Sequence, residues 1–322
     1  MATYKYIHGF KIQNVSSDPP ASFVGQVWYN STSGDLKVNL GTPVGAWSTG
    51  GALGTARIGL GGAGTQTAAL AFTGFGPSSL SNDTETYDGS SWTEVNNINT
   101  ARDRGAGSGT QTSALAYGGE TPSITGATEL WNGSNWTTVN PLNTARAILA
   151  GAGASNTYAL AFGGNTPPNT AVTESWNGTN WTNVNSLNTS RKYLAGIGTY
   201  TAALGFGGAP GDLNVTESWN GSNWTNVNPL TTGRQALRGA GTSTAGLGFG
   251  GGGPPGSALT ENWNGSNWTE VGDLNEGITF AASSGTNTAA LNFGGRSAPA
   301  NAIVGSTEEW NVSGGVSTIT SS

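Results

Sequence analysis

The chain contains no cysteine, one histidine and one methionine in 322 residues, and only 12 lysines and arginines. Without cysteine there is no disulfide framework, no thiol nucleophile and no thiolate-held metal. A single histidine, His8, excludes multi-histidine metal sites and leaves a Ser-His-Asp triad one candidate. His8 sits in a strand-like N-terminal stretch and reads as structural or solvated. Charged residues are 9% of the chain, about a third of ordinary usage. The net charge of −6 offers no basic patch to displace counterions from nucleic acid. No apolar run approaches the roughly 18 residues of a membrane span, and the N-terminus lacks a signal-peptide pattern. Neither membrane insertion nor glycosylation of sequons such as Asn135-Trp-Thr137 is therefore expected. These absences disfavour an enzyme, and no cofactor or metal is expected.

What is present is glycine, 53 residues, beside 12 Trp and 9 Phe. That aromatic content is too high for a disordered chain. The order comes from an internal repeat. Thr128-Glu-Leu-Trp-Asn-Gly-Ser-Asn-Trp136 recurs at 173–181, 216–224 and 260–268, and in divergent form at 84–92. The second Trp of each unit falls at Trp92, Trp136, Trp181, Trp224 and Trp268, with spacings of 44, 45, 43 and 44. About ten residues later come Arg102, Arg146, Arg191 and Arg234, with Ile278 breaking the series. A Gly/Ala-rich stretch and an Ala-Leu-Ala-Phe-Gly-Gly segment complete each unit.

Each unit predicts four short strands: a small one such as 150–154, an apolar one at 158–162, then 172–176 and 181–184 flanking an Asn-Gly turn. Four antiparallel strands repeated at this period predict an all-β propeller, with an open solenoid as the structural alternative. Small residues suit strands crowded about an axis. The double glycine, the aromatic-Asn-Gly (Tyr87-Asp-Gly in the first unit), the Trp three residues after that Gly and the Leu-x-x-x-Arg exit resemble the Kelch-repeat family over roughly 46–312. The period is slightly shorter than that family's, and the Gly-His and Trp-Asp signatures of WD40 repeats are missing. The resemblance implies a Kelch-like propeller. Copper oxidase chemistry, known on such propellers, lacks here the Cys and paired His it needs.

Apolar second strands at 69–72, 114–117, 159–162, 203–206, 246–249 and 290–293 give six units. Only five of the outer Trp residues follow a third strand. Trp47, ten residues before Arg57, is the sixth candidate. The expectation is a six-bladed Kelch-like β-propeller over 43–322, closed by pairing N- and C-terminal strands; the alternative is that 316–320 closes it. Loss of residues 1–50 would then unfold the ring.

Loops after the second and fourth strands share one face. The second-to-third loops vary between units whereas the third-to-fourth turns hardly do, so the variable face is the candidate recognition surface. Its candidate residues are Phe75 and Pro77, Glu120 and Pro122, Asn165 and Pro167, Asp212 and Leu213, Pro254 and Pro255, and Arg296. Glu85, Glu129, Glu174, Glu217, Glu261 and Glu308 recur once per unit on that side, where bidentate pairing with the repeated Arg is plausible. Repetition marks these Glu and the paired Trp as scaffold rather than as catalysts or sugar platforms.

Residues 1–42 lie outside the repeat and are expected to form an arm. Gly25-Gln-Val-Trp-Tyr-Asn30 and Leu36-Lys-Val38 flank a turn at 31–34, a β-hairpin that follows Asp18-Pro-Pro20. This stretch resembles a segment of bacteriophage tail-fibre and other virion proteins, over about 20 residues. A lone hairpin is marginal in water, so Trp28 and Tyr29 need a partner: the propeller wall, a sister subunit or another virion protein, the last two making Trp28, Tyr29, Asn30 and Leu36 the candidate attachment residues. The leading expectation is a virion structural protein, located in the virion, its partners being other virion proteins in a symmetric assembly and a host-surface glycan or protein. A carbohydrate-binding lectin is the alternative from another class. A glycan-degrading enzyme with a site around Arg296, Glu308 and Glu309 is the third.

Overall fold

The computed structural model describes residues 12–19, 25–39, 44–252, 256–313 and 316–319. His8, Pro254 and Pro255 lie outside the described residues. Among these residues there is no helix; seven four-stranded sheets and one two-stranded sheet make up the regular structure. The chain divides into two compact units, one of Ala46–Asn311 and one drawn from Met1–Gly45 with Val312–Ser322.

In the larger unit the repeat folds as its pattern predicts. The second repeat sheet runs Ala106–Thr110, Ser113–Tyr117, Thr128–Trp131, Trp136–Val139, each strand antiparallel to the next. The other repeat sheets cover 61–95, 150–184, 195–227, 238–270 and 282–313. The sheet of 282–313 takes its fourth strand from Val44–Gly50, beside Thr307–Ser313. Trp47 thus completes the last repeat sheet, and Val316–Thr318 does not. This is the arrangement of a β-propeller.

Three sets of contacts join each repeat sheet to its neighbour. The outer Trp donates its indole N–H to the threonine that starts the neighbouring sheet's third strand: Trp136 to Thr84 (3.1 Å), Trp181 to Thr128 (3.1 Å), Trp224 to Thr173 (3.1 Å) and Trp268 to Thr216 (3.1 Å). The same bond links Trp47 to Thr260 and Trp92 to Thr307, both at 3.0 Å, so the series returns to its start. Each of these Trp rings also packs on the neighbouring sheet's second-strand aromatic, as Trp181 does on Tyr117 and Trp47 on Phe249. Repetition of the Trp pair is therefore a packing device: Trp131 faces Trp136 across its own sheet, and Trp136 reaches Phe72 of the next. Thirdly, first-strand glycines make room for those aromatics. A Cβ on Gly107 would stand 2.4 Å from the Phe72 ring, and one on Gly196 2.6 Å from Phe162.

A second cycle surrounds the axis of the repeat. Gly59 donates its N–H to Phe280 O, Phe280 to Ala236, Ala236 to Tyr193, Tyr193 to Ile148, Ile148 to Arg104 and Arg104 to Gly59, at 2.7–3.3 Å. All six residues have φ between +54° and +62°, although only one is glycine. Left-handed backbone costs an L-residue about 1–2 kcal/mol, and most for a β-branched one such as Ile148. The hydrogen-bonded cycle over-determines that geometry.

The Asn-Gly turns have the four residues that the expected strand bounds imply. Four residues separate Trp131 from Trp136, only Gly133 is left-handed (φ +93°), and Asn132 Oδ1 accepts the N–H groups of Ser134 (2.9 Å) and Asn135 (2.8 Å). An Asx cap, rather than a primed turn, closes the hairpin.

The smaller unit is a four-stranded sheet, not an isolated hairpin. Val27–Asn30 and Asp35–Asn39 form the predicted hairpin, Gln13–Val15 adds in parallel, and Val316–Thr318 adds antiparallel from the C-terminal end. The C-terminal strand therefore belongs with the arm and not with the repeats.

Candidate functional site

The repeated charged residues are consumed inside their own sheets. Arg57–Glu85, Arg102–Glu129, Arg146–Glu174, Arg191–Glu217 and Arg234–Glu261 pair at 2.6, 2.8, 2.9, 3.1 and 2.9 Å, all buried. The contact is single rather than a bidentate fork: other Nη–H groups serve backbone carbonyls, and Nε of Arg146, Arg191 and Arg234 is buried without a partner. Arg191 Nη1, for example, donates to Gly207 O (2.9 Å) and Val215 O (2.7 Å). Each carboxylate also collects N–H groups from the incoming loop, as Glu174 does from Asn143 (2.7 Å) and Thr144 (3.2 Å). The result is a clamp tying loop, second strand and third strand together. Burial pulls these guanidinium pKa values down and the glutamates pull them back up.

The sixth sheet departs from this scheme. Ile278 replaces the arginine, and Glu308 instead accepts the backbone and side-chain N–H of Asn275, at 2.8 and 2.6 Å. Burial without a cation raises its pKa above the ordinary carboxylate value. Glu309, on the other side of the strand, accepts from Tyr87 Oη at 2.5 Å, while Arg296 donates to Asn301 on its own loop. Among the described residues no hydrogen bond or ion pair joins Arg296, Glu308 and Glu309. The constellation considered for catalysis is not assembled.

The variable loops do share a face with the loops entering the first strands. Phase is set by backbone bridges: Ile58 with Phe75, Asp103 with Glu120, Ala147 with Asn165, and Thr279 with Arg296. Pro77, Pro122, Pro167 and Asp212 are exposed at the loop tips, whereas Phe75, Glu120, Asn165, Leu213 and Arg296 are half-buried. Glu120 is held by Arg104 at 2.8 Å. The candidate face thus carries proline at three loop tips and Asp212 at a fourth, with Glu120 and Arg296 half-buried behind them.

Inside that rim lies a mouth that sequence reasoning missed. The left-handed ring brings Arg104, Ile148, Tyr193 and Phe280 around one recess, with Arg238 also in its wall. Ala236 is small, so the Tyr193 and Phe280 rings meet edge to face at 5.5 Å across it, and Lys192 Nζ stands 5.7 Å from the Tyr193 ring. A larger recess of about 270 Å³ adjoins, bounded by Ile58, Asp103, Arg104, Phe280, Arg296 and Asn301. The available signal was positional: these residues stand two after the repeated Arg in each unit. On the opposite face, Tyr158 and Tyr200 from adjacent first-to-second turns stack at 4.7 Å and remain 45% and 36% exposed.

In the arm the candidate residues separate by role. Trp28 is fully buried, and its indole N–H donates to Asp18 Oδ1 at 3.0 Å. Asn30 also donates to Asp18 (2.9 Å) and caps the turn through Thr32 and Ser33. These N–H donors hold the exposed Asp18 carboxyl below its ordinary pKa. Trp28 and Asn30 are thus bonded within this molecule, to Asp18; Leu36 is half-buried, and Tyr29 stays 39% exposed.

No protein-family model matches this chain, and no curated protein does. Among solved structures the chain is similar to the one titled "Structure of YjhT", with a TM-score of 0.66, 13% identity, 79% of this chain covered and 95% of that one. At that identity the likeness carries the fold alone, and that fold is propeller-like.

Proposed function

We propose that the chain is a bacteriophage virion structural protein: a six-bladed, Kelch-like propeller, closed through Trp47, that presents its variable loop face to a host-surface receptor or to a neighbouring virion subunit. The observation that carries the reading is the internal pairing of the repeated Arg with Glu and of the outer Trp with the third-strand Thr. The Arg–Glu clamps and the Trp–Thr bonds hold the scaffold, which leaves the loops that differ between repeats as the surface free to recognise something. The arm supports attachment through Tyr29 and the turn at 31–34, and its own four-stranded sheet is a folded module rather than a tether. Its likeness to phage tail-fibre segments rests on Gly25–Asn30 and Leu36–Val38.

The test is immunogold labelling of purified phage particles with antibody raised against the full chain. Decoration at one fixed place on intact particles is expected; label found only in the soluble lysate fraction would refute it.

Carbohydrate binding is a second reading, favoured by the exposed stacked pair Tyr158–Tyr200, since aromatic faces are what sugars stack on. A glycan array separates the two. Saturable sugar binding lost in Y158A/Y200A supports a lectin, and its absence leaves attachment through protein contacts.

A further inference from the structure

The first strands of the repeat sheets wall an axial cavity of about 130 Å³. Its wall is mostly glycine and alanine, with Leu60, Leu149, Leu194 and Ser283, and a second space of about 110 Å³ shares Gly62, Gly107, Gly151, Gly196 and Gly239. One charged side chain lines it: Arg238. The equivalent position in the other repeat sheets is Gly61, Ala106, Ala150, Ala195 and Ala282. No structural rule of the repeat therefore asks for an arginine there.

Arg238 is also the exception among the arginines near the axis. The five repeat arginines each have a glutamate, and Arg104 has Glu120 and Asp103. Arg238 has no carboxylate partner among the described residues. Its Nε–H donates to Ala281 O and Nη1 to Leu237 O at 3.0 Å, which fixes the guanidinium plane and leaves Nη2 unpaired. Burial lowers its pKa to about 10, so the group stays cationic at neutral pH. Arg238 is half-buried, so Nη2 faces the space of the cavity without a protein partner and is free to take an acceptor there.

We infer that Arg238 makes the axial cavity a binding site for a small oxyanion, a carboxylate or phosphate group, whose remainder lies against Tyr193 and Phe280 at the mouth. The planar fork of an arginine matches both anions. Arg238 lines the recess of Tyr193 and Phe280 as well as the cavity, so one ligand can touch both. The inference stands apart from the virion assignment: a particle protein with an empty axis, or an axial site on a non-virion protein, would each fail only one of the two.

The test is calorimetric titration of the full chain, at low ionic strength, with acetate, benzoate and inorganic phosphate separately, and benzyl alcohol as the neutral control. Saturable binding of at least one anion and none of the alcohol is expected. Benzoate tighter than acetate assigns the mouth aromatics to the ligand body, while phosphate alone assigns the site to a phosphate group. Arg238→Ala places in this sheet the residue four others already carry, so its melting temperature should stay near wild type. Its anion affinity should fall roughly tenfold or more, the scale of one charged hydrogen-bond partner. No saturable anion binding, or equal binding by R238A, overturns the proposal. Should R238A not fold, wild-type crystals soaked in bromide decide: anomalous density beside the guanidinium supports the site, and none there refutes it.

Discussion

Replacing Arg146 by isoleucine reproduces in the third sheet what the chain already has at Ile278, and it tests whether the clamps carry the fold. Arg146 and Glu174 are both fully buried, with Arg146 Nη1 2.9 Å from Glu174 Oε1 and Nη2 3.1 Å from Ala161 O. Removing one partner of a buried pair costs about 3–5 kcal/mol, because the other charge is left uncompensated. Some of that is recovered here: Glu174 keeps two backbone N–H donors, at 2.7 and 3.2 Å. It lacks the side-chain donor that Asn275 gives Glu308, since Asn143 Nδ2 is spent on Trp181 O at 2.8 Å.

Arg146→Ile should therefore cost about 3 kcal/mol at pH 7, the low end of that range, with about 2–4 °C lost per kcal/mol in a unit of this size. Adding Glu174→Gln should restore part of the loss, giving a favourable coupling in the double-mutant cycle. Urea unfolding followed by Trp fluorescence and circular dichroism at pH 7 measures both. An R146I protein within about 0.5 kcal/mol of wild type would refute the clamp argument.

Glu308 is the reverse case. Its folded pKa lies above the unfolded value, so the native state binds the extra proton and stability falls as pH rises from about 4.5 through the raised folded value. Glu308→Gln should remove that slope and leave the protein slightly more stable at pH 7; a variant less stable there than wild type would contradict it. Asp88 has its pKa lowered to about 2 by N–H groups of Ser91 and Ser90, so its contribution is present above the unfolded value of 3.8 and lost as pH falls toward 2. Asp88→Asn should flatten that acid limb in melts at pH 5 and pH 2, since Asn132 accepts the same two bonds in the next sheet; an unchanged limb would count against the assignment. Trp47→Ala removes a buried indole that bonds Thr260 and packs on Phe249 and Trp310. About 3–5 kcal/mol should be lost, and a melt within about 1 kcal/mol of wild type would show that the Val44–Gly50 strand does not hold the last sheet.

Most of the scaffold was legible because a repeat states each contact several times. Trp and Thr at fixed offsets imply a recurring neighbour, and the spacing from Trp47 to Arg57 placed the odd strand in the last sheet. Illegible were contacts made once. Gln13–Val15 and Val316–Thr318 carry no alternation strong enough to name the arm sheet as their destination. Trp28 looked like an unpartnered surface aromatic because its acceptor, Asp18, sits in a Pro-rich turn that periodicity does not reach. The left-handed ring was hidden too, since five of its six residues are not glycine and nothing local demands that backbone.

The same contrast bears on the axial site proposed above. A property copied into every sheet lies symmetrically about the axis and cannot by itself distinguish one ligand orientation from another. A ligand at the axis, as proposed above, needs asymmetry where the sheets converge. The departures from the repeat do this at one place. Arg104, Ile148, Tyr193 and Phe280 occupy equivalent ring positions with different side chains, Ala236 and Gly59 leave gaps between them, and Arg238 adds the unpaired charge behind. Phe280 also borders the recess of Arg296 and Asn301, whose loop belongs to the sheet that lost its arginine clamp. Symmetric residues hold the sheets together, so substituting them should lower stability. Substituting Tyr193, Phe280 or Arg238 should change what the axis binds while stability hardly moves, and a variant set in which the two effects rose and fell together would defeat that division.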